Sequence, residues 1–245
     1  MSFIVVIPAR YESSRLPGKP LLDIAGKSMI QHVVEKARQS KAEGVYVATD
    51  DNRIKESCEA IGVDVLLTSA EHQSGTDRIE EVANLLALSD DAAVINVQGD
   101  EPMIPPEVIN QVGNDLDSHP DAQICTLFEA LEDKDEILNP NNVKVVTDNN
   151  GYALYFSRAP IPFPRNQEIV KGQYKRHVGI YGYRVKVLHD FVSWPRSTLE
   201  ESEQLEQLRA LANNVKIHVQ QACSEIPAGV DTEEDLEKTR ALFAR

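Results

Sequence analysis

The chain has 245 residues, enough for one large or two small domains. Hydrophobic residues make up 42% and charged residues 26%, a balance that excludes a disordered chain. A formal net charge of -14 and a pI near 4.9 argue against a nucleic-acid-binding protein, yet leave room for a local basic pocket around a small anion.

Residues 3–7 (FIVVI) form a β-rich apolar run bounded by Pro8 and predict a buried strand. The run is too short for the apolar core of a secretory signal, so no leader is expected. A cationic loop follows. Residues 28–41 set Met29, Ile30, Val33, Val34 and Ala37 at helical spacing. Residues 45–48 are apolar and end in TDD, a helix-start signal. Residues 54–61 read as helix and 63–67 as strand. Residues 78–88 read as helix, with Ile79, Val82, Ala83, Leu85 and Leu86 on one side. Residues 92–97 are a strand that QGDEP stops. This alternation is the signature of a parallel sheet with helices on both faces, which binds ligands outside the carboxyl ends of its strands. The cationic loop and QGDEP both fall at that edge.

The later half is more mixed. Residues 143–147 and 152–157 predict strands joined by a turn over 148–151. Residues 178–184 alternate aromatic and small residues, as a strand does. The spacing predicts one helix over 199–212 with charge pairs, a short strand over 216–220 and a closing helix over 231–243. Residues 160–171, with three prolines, read as a mobile loop. No run is apolar and long enough to span a bilayer. Cys58, Cys125 and Cys223 show no paired or metal-knuckle spacing and read as plain buried thiols in a reducing cytoplasm.

Four stretches carry chemistry. Arg10, Arg15 and Lys19 flank Pro17 and Gly18 in an otherwise acidic chain. There is no dinucleotide fingerprint, and Leu21 stands where a Walker A loop would need its upstream glycine. Several fixed cations on a shaped backbone suit a polyphosphate; a plain basic loop is the alternative. Asp100 in VQGDEP suits a Mg²⁺ held between carboxylate and phosphate, or else belongs to a simple turn. Asp231 in GVDT is a helix N-cap or a second carboxylate, and spacing cannot pair it with Asp100. In RHVGIYGYR, His177 opens a strand carrying Tyr181 and Tyr183, a structural or a functional histidine; the glycines suggest close approach of a ligand or another backbone. The histidines show no zinc spacing. LEQLR (205–209) sits within the predicted helix, where polar side chains are usually solvated.

IPARYESSRLPGKPL (7–21), HQSGTDR (72–78), INVQGDEP, NPNNVKVV, YALYFSRAPIP, RHVGIYGYR, LEQLR and GVDT occur in this order along nearly the whole chain. The ordered set closely resembles the 3-deoxy-manno-octulosonate cytidylyltransferases, or CMP-Kdo synthetases. The resemblance implies an α/β, nucleotide-diphospho-sugar transferase-like (Rossmann-like) three-layer fold with a central, mostly parallel sheet. It implies one catalytic domain over 1–245, with a nucleotide-binding half over about 1–120 and sugar-binding and dimerisation elements over about 121–230. The implied reaction joins CTP and Kdo into CMP-Kdo and pyrophosphate with Mg²⁺, for lipopolysaccharide assembly, in a cytoplasmic homodimer that meets neither nucleic acid nor membrane.

By the same resemblance, Arg10, Ser13, Arg15 and Lys19 form the CTP triphosphate loop. His72, Ser74, Gly75, Thr76 and Arg78 lie on the nucleotide side, and Arg10, Lys19 and Asp100 are the catalytic groups. Asp100 and Asp231 hold the metal. Gln98, Arg158, His177, Tyr181, Glu206 and Gln207 receive the sugar, the arginine meeting its carboxylate. Three departures stand out: Ser14 for a more usual Thr, ICTLFEALED without the usual apolar-Pro-Ile ending, and a short loop over 162–175. That loop leaves open 8-amino-Kdo as the sugar. Two rivals stand beside it: the same chemistry on another acid sugar such as sialic acid, against which the HQSGTDR, RHVGIYGYR and LEQLR set argues, and a silent nucleotide-sugar-binding relative. The presence of Lys19, Asp100 and Asp231 speaks against the silent relative.

Overall fold

The computed structural model describes residues 2–12, 15–166, 170 and 172–244. The first part runs β1 (Phe3–Ala9), a 3-10 turn (Lys19–Leu21), a small hairpin of β2 (Asp23–Ile24) and β3 (Lys27–Ser28), α1 (Met29–Arg38), β4 (Gly44–Thr49), α2 (Asn52–Ala60), β5 (Asp64–Leu67), α3 (Gly75–Leu85) and β6 (Ala93–Asn96). Next come α4 (Pro106–Ser118), β7 (Ile124–Leu131), α5 (Lys134–Leu138), β8 (Lys144–Thr147), β9 (Ala153–Ser157) and β10 (Tyr174–Arg184). The chain continues with α6 (Val185–Ser193), α7 (Thr198–Glu203), α8 (Gln207–Ala212), β11 (Ile217–Gln221) and α9 (Glu233–Phe243).

One sheet organises the molecule, in the order β11-β7-β10-β6-β1-β4-β5, with the β8–β9 hairpin attached through β10. β6, β1, β4 and β5 are parallel, and β11 is parallel to β7. β10 is inserted antiparallel between β6 and β7 and joins the two parallel groups. The expected α/β fold with a mostly parallel central sheet is therefore present. Period-two alternation sends Val5, Ile7 and Ala9 of β1 into a core with α1, α2 and α4. Ile4 and Val6 point into the opposite core, with α3, α6 and α8. Gly182 of β10 makes room for α4: a Cβ there would lie 2.8 Å from Val112 and 2.9 Å from Leu116.

The expected hairpin turn is present, with Asp148 N–H donating to the Tyr152 carbonyl at 2.8 Å. The single helix expected over 199–212 is broken. Ser197 opens α7 with a capping box, and Gln204 closes it in the left-handed region at φ 52°. Buried Arg209 reaches across the break and holds Glu200 at 2.6 and 2.8 Å. LEQLR is thus not mid-helix: Leu205 and Glu206 precede α8, and Gln207 opens it. Three smaller corrections follow from local chemistry. α3 starts at Gly75 rather than 78, because Ser74 and Asp77 form a capping box. Thr232, not Asp231, is the N-cap of α9. Cys58 and Cys125 are buried, but Cys223 is exposed.

Candidate active site

The loop after β1 is shaped before it is charged. Gly18 sits at φ 68°, a conformation that favours glycine, and its N–H donates to the Tyr11 carbonyl at 3.0 Å. The turn that follows points Lys19 inward, where Nζ donates to Asp100 Oδ2 at 2.6 Å, to Asp231 Oδ1 at 3.1 Å and to the Val230 carbonyl at 3.1 Å. GVDT is pinned beside QGDEP by a Val230 N–H to Asp100 carbonyl bond of 2.8 Å. The two carboxylates that spacing could not pair therefore share one ammonium. Gly99 allows this approach, since a Cβ there would stand 2.8 Å from the Pro8 carbonyl. Burial works against the Lys19 charge, but the attraction and hydrogen bonds of Asp100 and Asp231 outweigh it and raise the pKa.

A cleft of about 370 Å³ opens here, lined by Arg10, Arg15, Lys19, Gly75, Gln98 and Asp100 among others. Arg10 Nη2 donates to the His72 carbonyl at 2.9 Å, tying the loop to HQSGTDR. Arg15 lies 3.2 Å from Asp231, both largely exposed. Ser13 lies outside the described residues, as do Ser14 and, in the 160s loop, 167–169 and 171. Other expected nucleotide-side residues have structural partners. The His72 ring meets Glu81 at 2.5 Å, Ser74 caps α3, and fully buried Arg78 holds Asp50 at 2.7 Å and also bonds Thr68.

On the other flank of β6, Gln98 Nε2 approaches the Gly179 carbonyl at 3.4 Å, beside the irregularity between Val178 and Tyr181 in β10. The His177 ring nitrogen Nε2 is 3.0 Å from Thr126 Oγ1, a hydroxyl that also faces the Val178 and Ile180 carbonyls. With its own proton given to a carbonyl, Thr126 accepts from His177, which assigns the Nε2–H tautomer and leaves Nδ1 as an acceptor. Burial, then the Arg176 charge, pushes the His177 pKa down to about 3, so the ring is neutral. Tyr181 packs against it with ring centroids 5.3 Å apart. Thr76 Oγ1 donates to Glu206 Oε2 at 2.8 Å, while Glu206 Oε1 is buried without a hydrogen-bond partner. Gln207 is buried at the start of α8. Arg158 is turned elsewhere: its guanidinium donates to the carbonyls of Glu203 at 2.7 Å, Pro140 at 3.2 Å and Gln204 at 3.3 Å.

Sequence reasoning passed over several residues. Glu101 has one carboxyl oxygen buried without a partner, and burial, then the charge of Asp100, lifts its pKa to about 8. Its neighbour Asp100 stands out in the sequence as a carboxylate at a strand end that suits Mg²⁺, and nothing local marks Glu101 as the buried acid. Asp115, His119 and His218 also meet, although the histidine spacing suggested no cluster. The Asp115 carboxylate lies 2.8 Å from each Nδ1 and takes a 2.7 Å bond from Gln220. The two rings stack at 3.7 Å and 22°. The group works as a cage around a buried carboxylate.

Asp100 and Asp231 present hard oxygen ligands to a single cation position, and Lys19 Nζ already stands there as a positive charge. That donor set fits Mg²⁺.

The profile of the cytidylyltransferase family matches residues 4–217. A 3-deoxy-manno-octulosonate cytidylyltransferase of Alcanivorax borkumensis is 56% identical, over 98% of this chain and 98% of its own. The Cellvibrio japonicus protein of that name is 55% identical, over 99% and 98%. A solved structure of CMP:2-keto-3-deoxy-manno-octonic acid synthetase complexed with CTP superposes with a TM-score of 0.93 at 45% identity, covering 100% of this chain and 99% of its own. The chain belongs to the 3-deoxy-manno-octulosonate cytidylyltransferase family.

Proposed function

We propose that the protein transfers CMP from CTP to Kdo, releasing pyrophosphate. The observation that carries this reading is one ammonium, Lys19, held between Asp100 and Asp231 at the mouth of a cleft that also contains Arg10 and Arg15. The sugar's anomeric hydroxyl gives up its proton to solvent and attacks the α-phosphorus, the bond to the bridging oxygen breaks, and its electron pair leaves on pyrophosphate. Negative charge grows on the nonbridging oxygens and on the leaving group, so positioning and fixed positive charge do most of the work. Lys19, Arg10 and Arg15 face that charge. Asp100 and Asp231 would hold Mg²⁺, which when bound neutralises phosphate charge. Gln98, the acceptor Nδ1 of His177, Tyr181 and Glu206 Oε1 offer the neutral and anionic partners that a polyhydroxy acid needs on the far side of β6.

We read the whole chain as one catalytic unit, working as a cytoplasmic homodimer. Exposed Leu154, at 63%, and Phe163, at 79%, are apolar surface that a second copy would cover, and light scattering in solution tests it. The free thiols of Cys58, Cys125 and Cys223 suit a reducing compartment. Among the described residues no helix is long and apolar enough to cross a membrane.

The test is coupled pyrophosphate release with CTP, UTP, ATP and GTP crossed against Kdo, 8-amino-Kdo and sialic acid, with and without Mg²⁺. Turnover confined to CTP, Kdo and metal is expected, and Asp100→Ala should abolish it in a folded protein. A preference for 8-amino-Kdo would keep the mechanism and change the sugar. No turnover from a folded protein that still binds CTP would overturn the assignment.

A further inference from the structure

The HQSGTDR segment lines up with the nucleotide side, yet Thr76 turns its hydroxyl the other way. Thr76 is buried, at 3% exposure. Its Oγ1 bonds Glu206 Oε2 at 2.8 Å. A carboxylate only accepts, so Thr76 gives its single proton to Glu206.

This bond joins the first turn of α3 to the residue that precedes α8. Only Oε2 of Glu206 is engaged. Arg209 comes no closer than 3.9 Å to Oε1, because its guanidinium is bound to Glu200. A buried carboxylate oxygen without a partner is expensive unless a ligand supplies the donor.

We propose that Thr76 is a positioning residue for the sugar: it holds Glu206 so that Oε1 faces a substrate hydroxyl, and it ties α3 on the nucleotide side to α8 on the sugar side. This rests on Glu206 being a sugar ligand, and the experiment separates the two claims.

Steady-state kinetics would be run with CTP and sugar varied in turn, on wild type, Thr76→Val, Thr76→Ala, Thr76→Ser and Glu206→Gln. Thr76→Val keeps shape and removes the donor. It is expected to raise KM for the sugar on the order of ten- to a hundredfold, the loss typical of a hydrogen bond to a charged group, with KM for CTP essentially unchanged. Thr76→Ser is expected to restore the sugar KM. Melting temperatures report folding, and Thr76→Ala carries the test if Thr76→Val does not fold. If Glu206→Gln raises the sugar KM but the variants without a hydroxyl at position 76 do not, the positioning role is overturned and Glu206 stands. If Glu206→Gln leaves the sugar KM unchanged, the sugar assignment of Glu206 itself is overturned. A Thr76→Val defect shared equally by CTP, or not rescued by serine, would mark a packing role and overturn the proposal.

Discussion

Replacing Lys19 with alanine should expose how the two carboxylates are held together. Nζ lies 2.6 Å from Asp100 and 3.1 Å from Asp231, and Lys19 is the more buried partner, with side-chain exposures of 15%, 29% and 50% in that order. The two carboxylate oxygens are therefore no more than about 6 Å apart, and without the ammonium they repel by about 3 kcal/mol at an effective dielectric near 20. Solvent around Asp231 and the guanidinium of Arg15 screen part of this, leaving about 1–2 kcal/mol. For a chain of this size that is a fall in Tm of about 2–8 °C. Thermal melts of Lys19→Ala with and without Mg²⁺ would measure it. In metal-free buffer the variant should melt below wild type, and Mg²⁺ should raise the variant more than wild type. Because the Lys19 pKa is raised in the folded state, its contribution is whole below the ordinary lysine value and fades as pH rises through the folded one. The gap between the two proteins should accordingly close in strong alkali. Turnover should drop on the order of 10²–10³-fold. Equal melting in metal-free buffer, or an equal response to Mg²⁺, would refute the shared-cation reasoning.

Glu101, with its pKa lifted to about 8, binds a proton in the folded state that the unfolded chain releases above its ordinary value of 4.5. Wild-type stability should therefore fall relative to Glu101→Gln by up to about 1.4 kcal/mol per pH unit across that window. Denaturant titrations at several pH values test this, and parallel curves would refute it. Gly99→Ala should cost about 1–3 kcal/mol and displace QGDEP, because its Cβ would press on the Pro8 carbonyl at 2.8 Å; an unchanged Tm would contradict that contact. With a pKa of about 3, His177 is uncharged throughout the neutral range. Replacing it with asparagine should alter the sugar KM without changing the shape of the pH–rate profile between about pH 5 and 8, where an ordinary histidine would titrate. Loss of an acid limb in that variant would mean the ring carries charge.

The strands of the parallel half could be read from the sequence because burial on both faces leaves a continuous apolar signal, as in FIVVI and AAVINV. The ligand edge followed from topology, and the cationic loop and QGDEP do line one cleft. What stayed hidden is what depends on three-dimensional closure. Asp231 and Lys19 are 212 positions apart, so no spacing could join them. The break at Gln204 was masked by helical charge spacing that continues across it, and no glycine marks the left-handed residue. Asp115 in α4, His119 just past its end and His218 in β11 are brought together only where β11 adds to the sheet beside β7. Resemblance sets Thr76 on the nucleotide side, and nothing in the sequence shows that its first-turn hydroxyl bonds Glu206.

The sharing of one ammonium by Asp100 and Asp231 also has a meaning in time. Ribosomes deliver the cationic loop first and Asp100 next, and they deliver Asp231 only after every strand of the sheet. Until then Lys19 has at most one of its two carboxylate partners, so the three-way contact reports that the last segment of the fold has docked.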